Sequence, residues 1–405
     1  MVAGGLSTSI AALLLLRASG TAVPPTFTVD LTLPPEQRWV GALELLPHSW
    51  DESWAPIFAY HNATLFDALP DGTLAALARA LDAHYPEHAA ELRGLARSFG
   101  RVYPGRSVSY EYLAGWVYFH ELAHTDAAAE AAGERGRAER ARECTGALAA
   151  DAAGMVVHAA NMDQTPEAVR NVTLRVRFVG DEGLFVGDEG LVFEGVDWYW
   201  FTTGVSRAVR RGLASLQENW RTQPPRPLGD ALDDIARGAV AQILVFRRAL
   251  TRAARAPTTT FAALVEELER VPLAAPYYVV AAGARPFEGV AFARNCSGPD
   301  GAARRLGEGG AWFVVQTNYD PWLPDPADDP RRSVAEATLA QFGRAEAASS
   351  LGGFAVASTY PVHNPHTAYT AIMSAASGEL HAYVRDAMCP ENPGAVPSDQ
   401  RYCTA

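Results

Sequence analysis

The chain has no lysine; all 34 of its basic residues are arginine. That excludes Schiff-base lysine chemistry, pyridoxal-phosphate attachment and a phosphate-binding loop built on lysine. Codon bias in a GC-rich genome accounts for the absence. Positive charge is scarce overall, since 46 acidic residues leave a net charge of −12. Nucleic acid needs clustered positive charge, so it is excluded as a partner. Only four cysteines occur, at 144, 296, 389 and 403. Cys389 and Cys403 are close enough in sequence to close a small disulfide loop in an oxidising compartment; two unpaired thiols is the alternative. Cys144 lies far from the others in sequence, which leaves it available for chemistry. Long apolar runs are missing too. Ile10–Leu16 is too short to cross a bilayer, and no other stretch reaches about 18 uninterrupted apolar residues, so no transmembrane helix is expected.

What is present supports a large core. The chain has 405 residues, 48% of them apolar, enough for one big domain or two ordinary ones. Small residues follow the N-terminal apolar run, so residues 1–22 read as a signal peptide. Sequons at Asn62, Asn171 and Asn295 are compatible with secretion.

Residues 27–40 begin as an alternating strand and end in a proline turn. Leu74, Leu77 and Leu81 place one or two amphipathic helices in 72–100. "YEYLAGWVYFHELAH", 110–124, reads as one strongly apolar helix. Residues 125–143 are small and charged, an exposed helix or connector that forms the best boundary in the chain. "CTGALAADAAGMVVHAANMD" then reads as two strands across a turn at Asp151–Gly154. "VTLRVRF" alternates as a strand. The heptapeptide FVGDEGL occurs twice in tandem, at 178–184 and 185–191, as a lengthened hairpin. Helical patterns follow at 229–256 and 258–270. "PYYVVAAG", "GVAFARN" and "AWFVVQTNYD" are strands, 333–350 is a helix, and the end returns to strand. Strands flanked by helices predict a layered α/β sandwich.

Two motifs carry chemistry. "HELAH" puts His120 and His124 on one helical face with Glu121 between, the pattern of a zinc peptidase. Glu143, nineteen residues past His124, would be the third ligand. It stands in an Arg/Glu-rich connector without the rigid setting that catalytic ligands need, so no metal or other cofactor is expected. The competing reading is a buried histidine pair. Cys144 opens a strand directly after the connector. Cleavage before it would free its α-amine, with a reference pKa near 8, to act as base for its own thiol. Asp163 ends the next predicted strand, where a hairpin returns it beside Cys144 to orient the amine.

Together these segments resemble the family of acid ceramidase and N-acylethanolamine acid amidase, N-terminal-nucleophile hydrolases that use a cysteine. The likeness runs through "FTVDLTLPPEQRWV", "YFHEL", the segment from Cys144 to Asp163, "SLQEN", "GAWFVVQTNYDPW", "DDPRR", "YPVHNPHTAYTAIM" and "YVRD". "GAWFVVQTNYDPW", 310–322, is its most specific part. The resemblance implies an α+β fold, an αββα sandwich with a helical α-subunit over 23–143 and a catalytic β-subunit over 144–405. It implies Cys144 as nucleophile and base, with Asp163 holding the amine. Asn318 would donate to the oxyanion, a contribution of roughly 3 kcal/mol. Glu218 matches a glutamate tied to self-cleavage and site organisation, and Arg331 an arginine that anchors polar groups.

The implied reaction is hydrolysis of a fatty-acyl amide, a ceramide or an N-acylethanolamine. The implied partners are that lipid, a membrane surface met transiently, and the two subunits of one precursor. The implied place is the secretory pathway, in a lysosome or vacuole or outside the cell. There are departures. Ala160 stands where the family has arginine, three residues before the aspartate, which motivates a non-catalytic lipid-binding relative as the alternative. The connector is longer than the family's. "FEGVDWYWFTTG", 193–204, replaces a strand of the acyl pocket; its Trp198, Trp200 and Phe201 line an apolar channel or form a buried strand.

Overall fold

The structure is a computed structural model that describes residues 21–140, 144–181 and 190–386. Residues 1–20 of the expected signal peptide, Glu143, the Cys389–Cys403 loop and most of the second FVGDEGL copy lie outside the described residues.

In chain order the early strands are β1 (Thr21–Ala22), β2 (Thr26–Asp30), β3 (Cys144–Ala150), β4 (Val156–Asp163) and β5 (Leu174–Val179). Next come β6 (Leu191–Asp197), β7 (Arg207–Arg210), β8 (Ala214–Trp220), β9 (Tyr277–Gly283) and β10 (Gly289–Arg294). The last are β11 (Pro299–Arg305), β12 (Phe313–Gln316), β13 (Thr367–Ser374) and β14 (Glu379–Arg385). The N-terminal helices are α1 (Trp54–Thr64), α2 (Thr73–His84), α3 (Pro86–Val102), α4 (Tyr110–Val117), α5 (Phe119–Ala123) and α6 (Asp126–Arg140). The later ones are α7 (Leu228–Ala236), α8 (Gln242–Arg255), α9 (Phe261–Arg270), α10 (Arg331–Ala347) and α11 (Ser350–Ala357).

The strands form a six-stranded sheet, ordered β1-β14-β13-β4-β3-β12, and an eight-stranded one, ordered β11-β10-β9-β8-β7-β6-β5-β2. All neighbours are antiparallel except β2 and β5. The sheets pack face to face, β3 and β4 on β8 and β9, and β13 on β7 and β8. Helices α10 and α11 cover the outer face of the first sheet, α8 and α9 that of the second. This is the expected αββα layering. It follows from the period of two along each strand. On β3, Leu148 and Ala150 turn to the second sheet and pack with Val280 and Ala282. Ala147 and Ala149 turn the other way, onto Leu339 and Phe354.

Several sequence expectations are refined. Residues 72–100 form two helices, because Pro86 starts α3 where its missing N–H costs nothing and its ring cannot extend α2. The pattern over 229–256 is not continuous. Gly238, at φ +94°, ends α7 in a left-handed turn and its N–H bonds the Ile235 carbonyl. The single helix expected over 110–124 breaks at Tyr118, whose φ and ψ are −96° and 16°. His120 therefore belongs to the short turn α5, and His124 follows as its C-cap. The duplicated segment does sit between paired strands, β5 and β6. Trp198, Trp200 and Phe201 are buried core, packed around Trp54 and Trp116 of the N-terminal helices; they are not a strand, since β6 ends at Asp197 and Trp200–Thr202 form a 3-10 turn.

Candidate active site

The site follows from strand register. β12 pairs antiparallel with β3 and places Gln316 opposite Gly146. Two residues further on, Asn318 must therefore arrive beside Cys144. Its Oδ1 accepts the Cys144 backbone N–H at 2.8 Å, while its Nδ2 donates to the Trp220 carbonyl at 2.9 Å. β4 returns from the hairpin with Met162 opposite Cys144, so Asp163 closes the strand next to it. α10 then begins at Arg331, whose side chain reaches into this corner.

Arg331 joins the pieces. Its guanidinium donates to the Cys144 carbonyl at 3.1 Å, to Asn318 Oδ1 at 2.9 Å and to Asp163 Oδ2 at 3.3 Å. Asp329 holds it in a two-pronged pair, both contacts 2.7 Å. Asp163 also accepts from Thr367 Oγ1 at 2.6 Å and Asn364 Nδ2 at 2.8 Å. Burial raises its pKa to about 6; Arg331, then Thr367 and Asn364, act against that. Cys144 is 2% exposed, and its Sγ touches Met162 Sδ at 3.7 Å.

Four of the five candidate residues thus meet: Cys144, Asp163, Asn318 and Arg331. The atom on the Cys144 nitrogen is Asn318 Oδ1, with Asp163 held one step behind through Arg331. Glu218 sits elsewhere. On β8 it faces away from the first sheet, with its Oε1 3.5 Å from the Nε2 of His120, which burial keeps neutral. Sequence reasoning missed Asp329, Asn364 and Thr367, although all three lie within or beside motifs it used. It also missed Arg207, whose Nη2 lies 2.9 Å from Cys144 Sγ. The stretch "GVSRAVRR" gives no signal that singles this arginine out.

The "HELAH" residues are buried between α5 and β8. His124 stacks face to face on Trp220, with ring centroids 3.6 Å apart. Glu121 Oε1 accepts the Gln242 N–H at 2.6 Å. Among the described residues no three His, Cys, Asp or Glu side chains are grouped to hold a metal.

This cluster has a consequence for stability. Burial raises Glu218 to about 8 and Glu121 to about 7 and lowers His120 to about 3; His158, buried on β4 against Ser215 and Gln217, is lowered to about 4. Between their ordinary value of 4.5 and these raised values, the folded carboxyls keep protons that the unfolded chain releases. Stability then falls as pH rises through that window. The buried neutral histidines slope the other way, but only below their unfolded value of 6.5. The melting temperature is therefore expected to drop from pH 6.5 to 8, and Glu218→Gln to flatten that drop; an unchanged slope in the variant would overturn it.

No family model matches the chain. An N-acylethanolamine-hydrolyzing acid amidase of Oryctolagus cuniculus is 32% identical over 59% of this chain and 63% of its own length, so the chain spans less than two thirds of that relative. The Rattus norvegicus protein of the same name is 29% identical over 90% of each chain. Acid ceramidases, including that of Homo sapiens, are further relatives. A solved Caenorhabditis elegans N-acylethanolamine-hydrolyzing acid amidase ortholog is 27% identical, with a TM-score of 0.49, over 57% of this chain and 93% of that one.

Proposed function

The chain belongs to the family of N-acylethanolamine-hydrolyzing acid amidases and acid ceramidases, and from that premise we propose that it is a fatty-acyl amide amidase with Cys144 as nucleophile. The observation that carries this is the Cys144 corner itself. Its nitrogen is held by Asn318 and its carbonyl by Arg331, so both ends of one residue are fixed beside its thiol. The relatives' names support an amide of a fatty acid with an amino alcohol.

Cleavage before Cys144 would turn that nitrogen into an amine. The amine takes the thiol proton, and sulfur attacks the amide carbon to form a C–S bond. The carbonyl electrons move to oxygen. They return as the C–N bond breaks, and the leaving amine takes the proton from the Cys144 ammonium. Water then gives a proton to the same amine and adds to the thioester. The C–S bond breaks, fatty acid leaves, and the thiol is restored. Asn318 holds the amine throughout, and Arg331 keeps Asn318 and Asp163 in place. Such lipids lie in bilayers, so the enzyme meets a membrane surface transiently, in an acidic compartment of the secretory route.

The test incubates the purified chain at acid pH, sequences its N-termini, and follows fatty-acid release from a palmitoyl amide. A new chain starting at Cys144, together with release, is expected. An intact chain with no release overturns the reading.

A further inference from the structure

We propose that Arg207 is a catalytic residue of this site: it holds the Cys144 sulfur as a thiolate, from the opposite sheet, where the family's arginine is replaced by Ala160. The inference rests on the function proposed above and adds a residue that the relatives' pattern does not supply.

The placement comes from β7. Arg207 pairs with Gln217 on β8, and the Gln217 amide lies 2.5 Å from where a Cβ on Gly146 would be. Both side chains therefore point across the interlayer toward β3. Arg207 Nη2 donates to Cys144 Sγ at 2.9 Å and to the Asn161 carbonyl at 3.3 Å. Nη1 donates to Ser206 Oγ at 2.8 Å. Ser206 is held in turn by Asp197, whose Oδ2 accepts from the Ser206 N–H at 2.7 Å and from its hydroxyl at 2.6 Å. The guanidinium is thus aimed by its neighbours and does not fold back on them.

Charge makes the point sharper. Arg207 is fully buried, and a buried cation is costly unless an anion faces it. Its hydrogen-bond acceptors are a hydroxyl, a carbonyl and the sulfur, with no carboxylate among them; the buried carboxyls of Asp197 and Glu218 and the phenol of Tyr369 act on it only through space. The one acceptor that can carry a full negative charge is Sγ. Arg207 would keep its protons through the reaction; the thiol proton goes to the Cys144 amine, and the cation lowers the cost of the charge left on sulfur.

The family position cannot do this here. Ala160 is fully buried and sits opposite Gly146 on one side and Ala371 on the other. Across Gly146, Ala160 and Ala371 the row carries a hydrogen and two methyls, so no guanidinium reaches the interlayer from β4 at this register. The guanidinium at the sulfur comes from β7.

The test uses Arg207→Gln, Arg207→Lys and the transposed double variant Ala160→Arg/Arg207→Gln. Iodoacetamide labelling of the Cys144 peptide is followed by mass spectrometry at several pH values, and hydrolysis of palmitoyl-aminomethylcoumarin is measured alongside. Arg207→Gln is expected to slow labelling at neutral pH about tenfold and to move its pH profile upward. Hydrolysis should fall about 100-fold, and the double variant should recover part of both. Arg207→Lys, which keeps the charge, should label closer to wild type. If Arg207→Gln labels like wild type, or Arg207→Lys falls as far as Arg207→Gln, the proposal is overturned. If wild type hydrolyses no acyl amide while Arg207→Gln still slows labelling, the proposed function fails, and with it the catalytic role, while the hold of Arg207 on the Cys144 sulfur stands.

Discussion

Cys144→Ala is expected to stay a single chain at acid pH and to lose amide hydrolysis by at least about a thousandfold. The size follows from the double duty of one residue. Sulfur makes the bond to the acyl carbon, and the amine that activates it is the same residue's nitrogen, held 2.8 Å from Asn318 Oδ1. Alanine removes the sulfur and leaves that nitrogen with nothing to activate. The surrounding lattice would survive, because Asp163, Asn318, Asp329 and Arg331 bond one another without the thiol. Near-wild-type melting is therefore expected beside lost activity, and this separates a missing nucleophile from a missing fold. Cys144→Ser keeps a nucleophile of poorer reactivity and should fall between the two. N-terminal sequencing and fatty-acid release on the same samples decide the matter. Full activity in Cys144→Ala would rule out the thioester route.

Why was so much of this corner legible in the sequence? Its parts are local in register. Cys144 and Asp163 bound one hairpin, and "GAWFVVQTNYDPW" carries Asn318 in on the neighbouring strand, so a period of two and a turn suffice to bring them together. The "DDPRR" segment needs only to start a helix there. What sequence could not give is contact across the layers. Arg207 reaches Cys144 from another sheet, and nothing within "GVSRAVRR" marks it out from its neighbouring arginines. Glu218 shows the same limit in reverse. A strand residue faces one side or the other, and only the packed sheets decide that it meets His120 instead of Cys144. Helix ends were blurred for a local reason. Pro86 and Gly238 cut patterns that apolar spacing alone carries straight through.

Glu91→Ala is expected to destabilise the protein by about 3–5 kcal/mol, roughly 5 °C in melting temperature. Glu91 lies on α3, before the proposed cleavage point, and is fully buried. Arg247 on α8, after that point, grips both of its oxygens at 2.5 Å. Arg38 adds a contact at 2.9 Å and the Trp39 indole another at 2.8 Å. Alanine leaves Arg247 buried without its carboxylate, and that orphaned charge, more than the lost attraction, sets the size of the effect. Arg38 is spared, since it also pairs with Glu87. The double variant Glu91→Leu/Arg247→Met removes both charges and should regain most of the loss, because well-packed apolar groups can replace a buried pair at little cost. Once the chain is cut before Cys144, the same contact joins two separate polypeptides. Glu91→Ala should then also weaken their co-purification while the double variant restores it. Equal melting temperatures for Glu91→Ala and wild type would show that this pair does not hold the N-terminal helices to the sandwich.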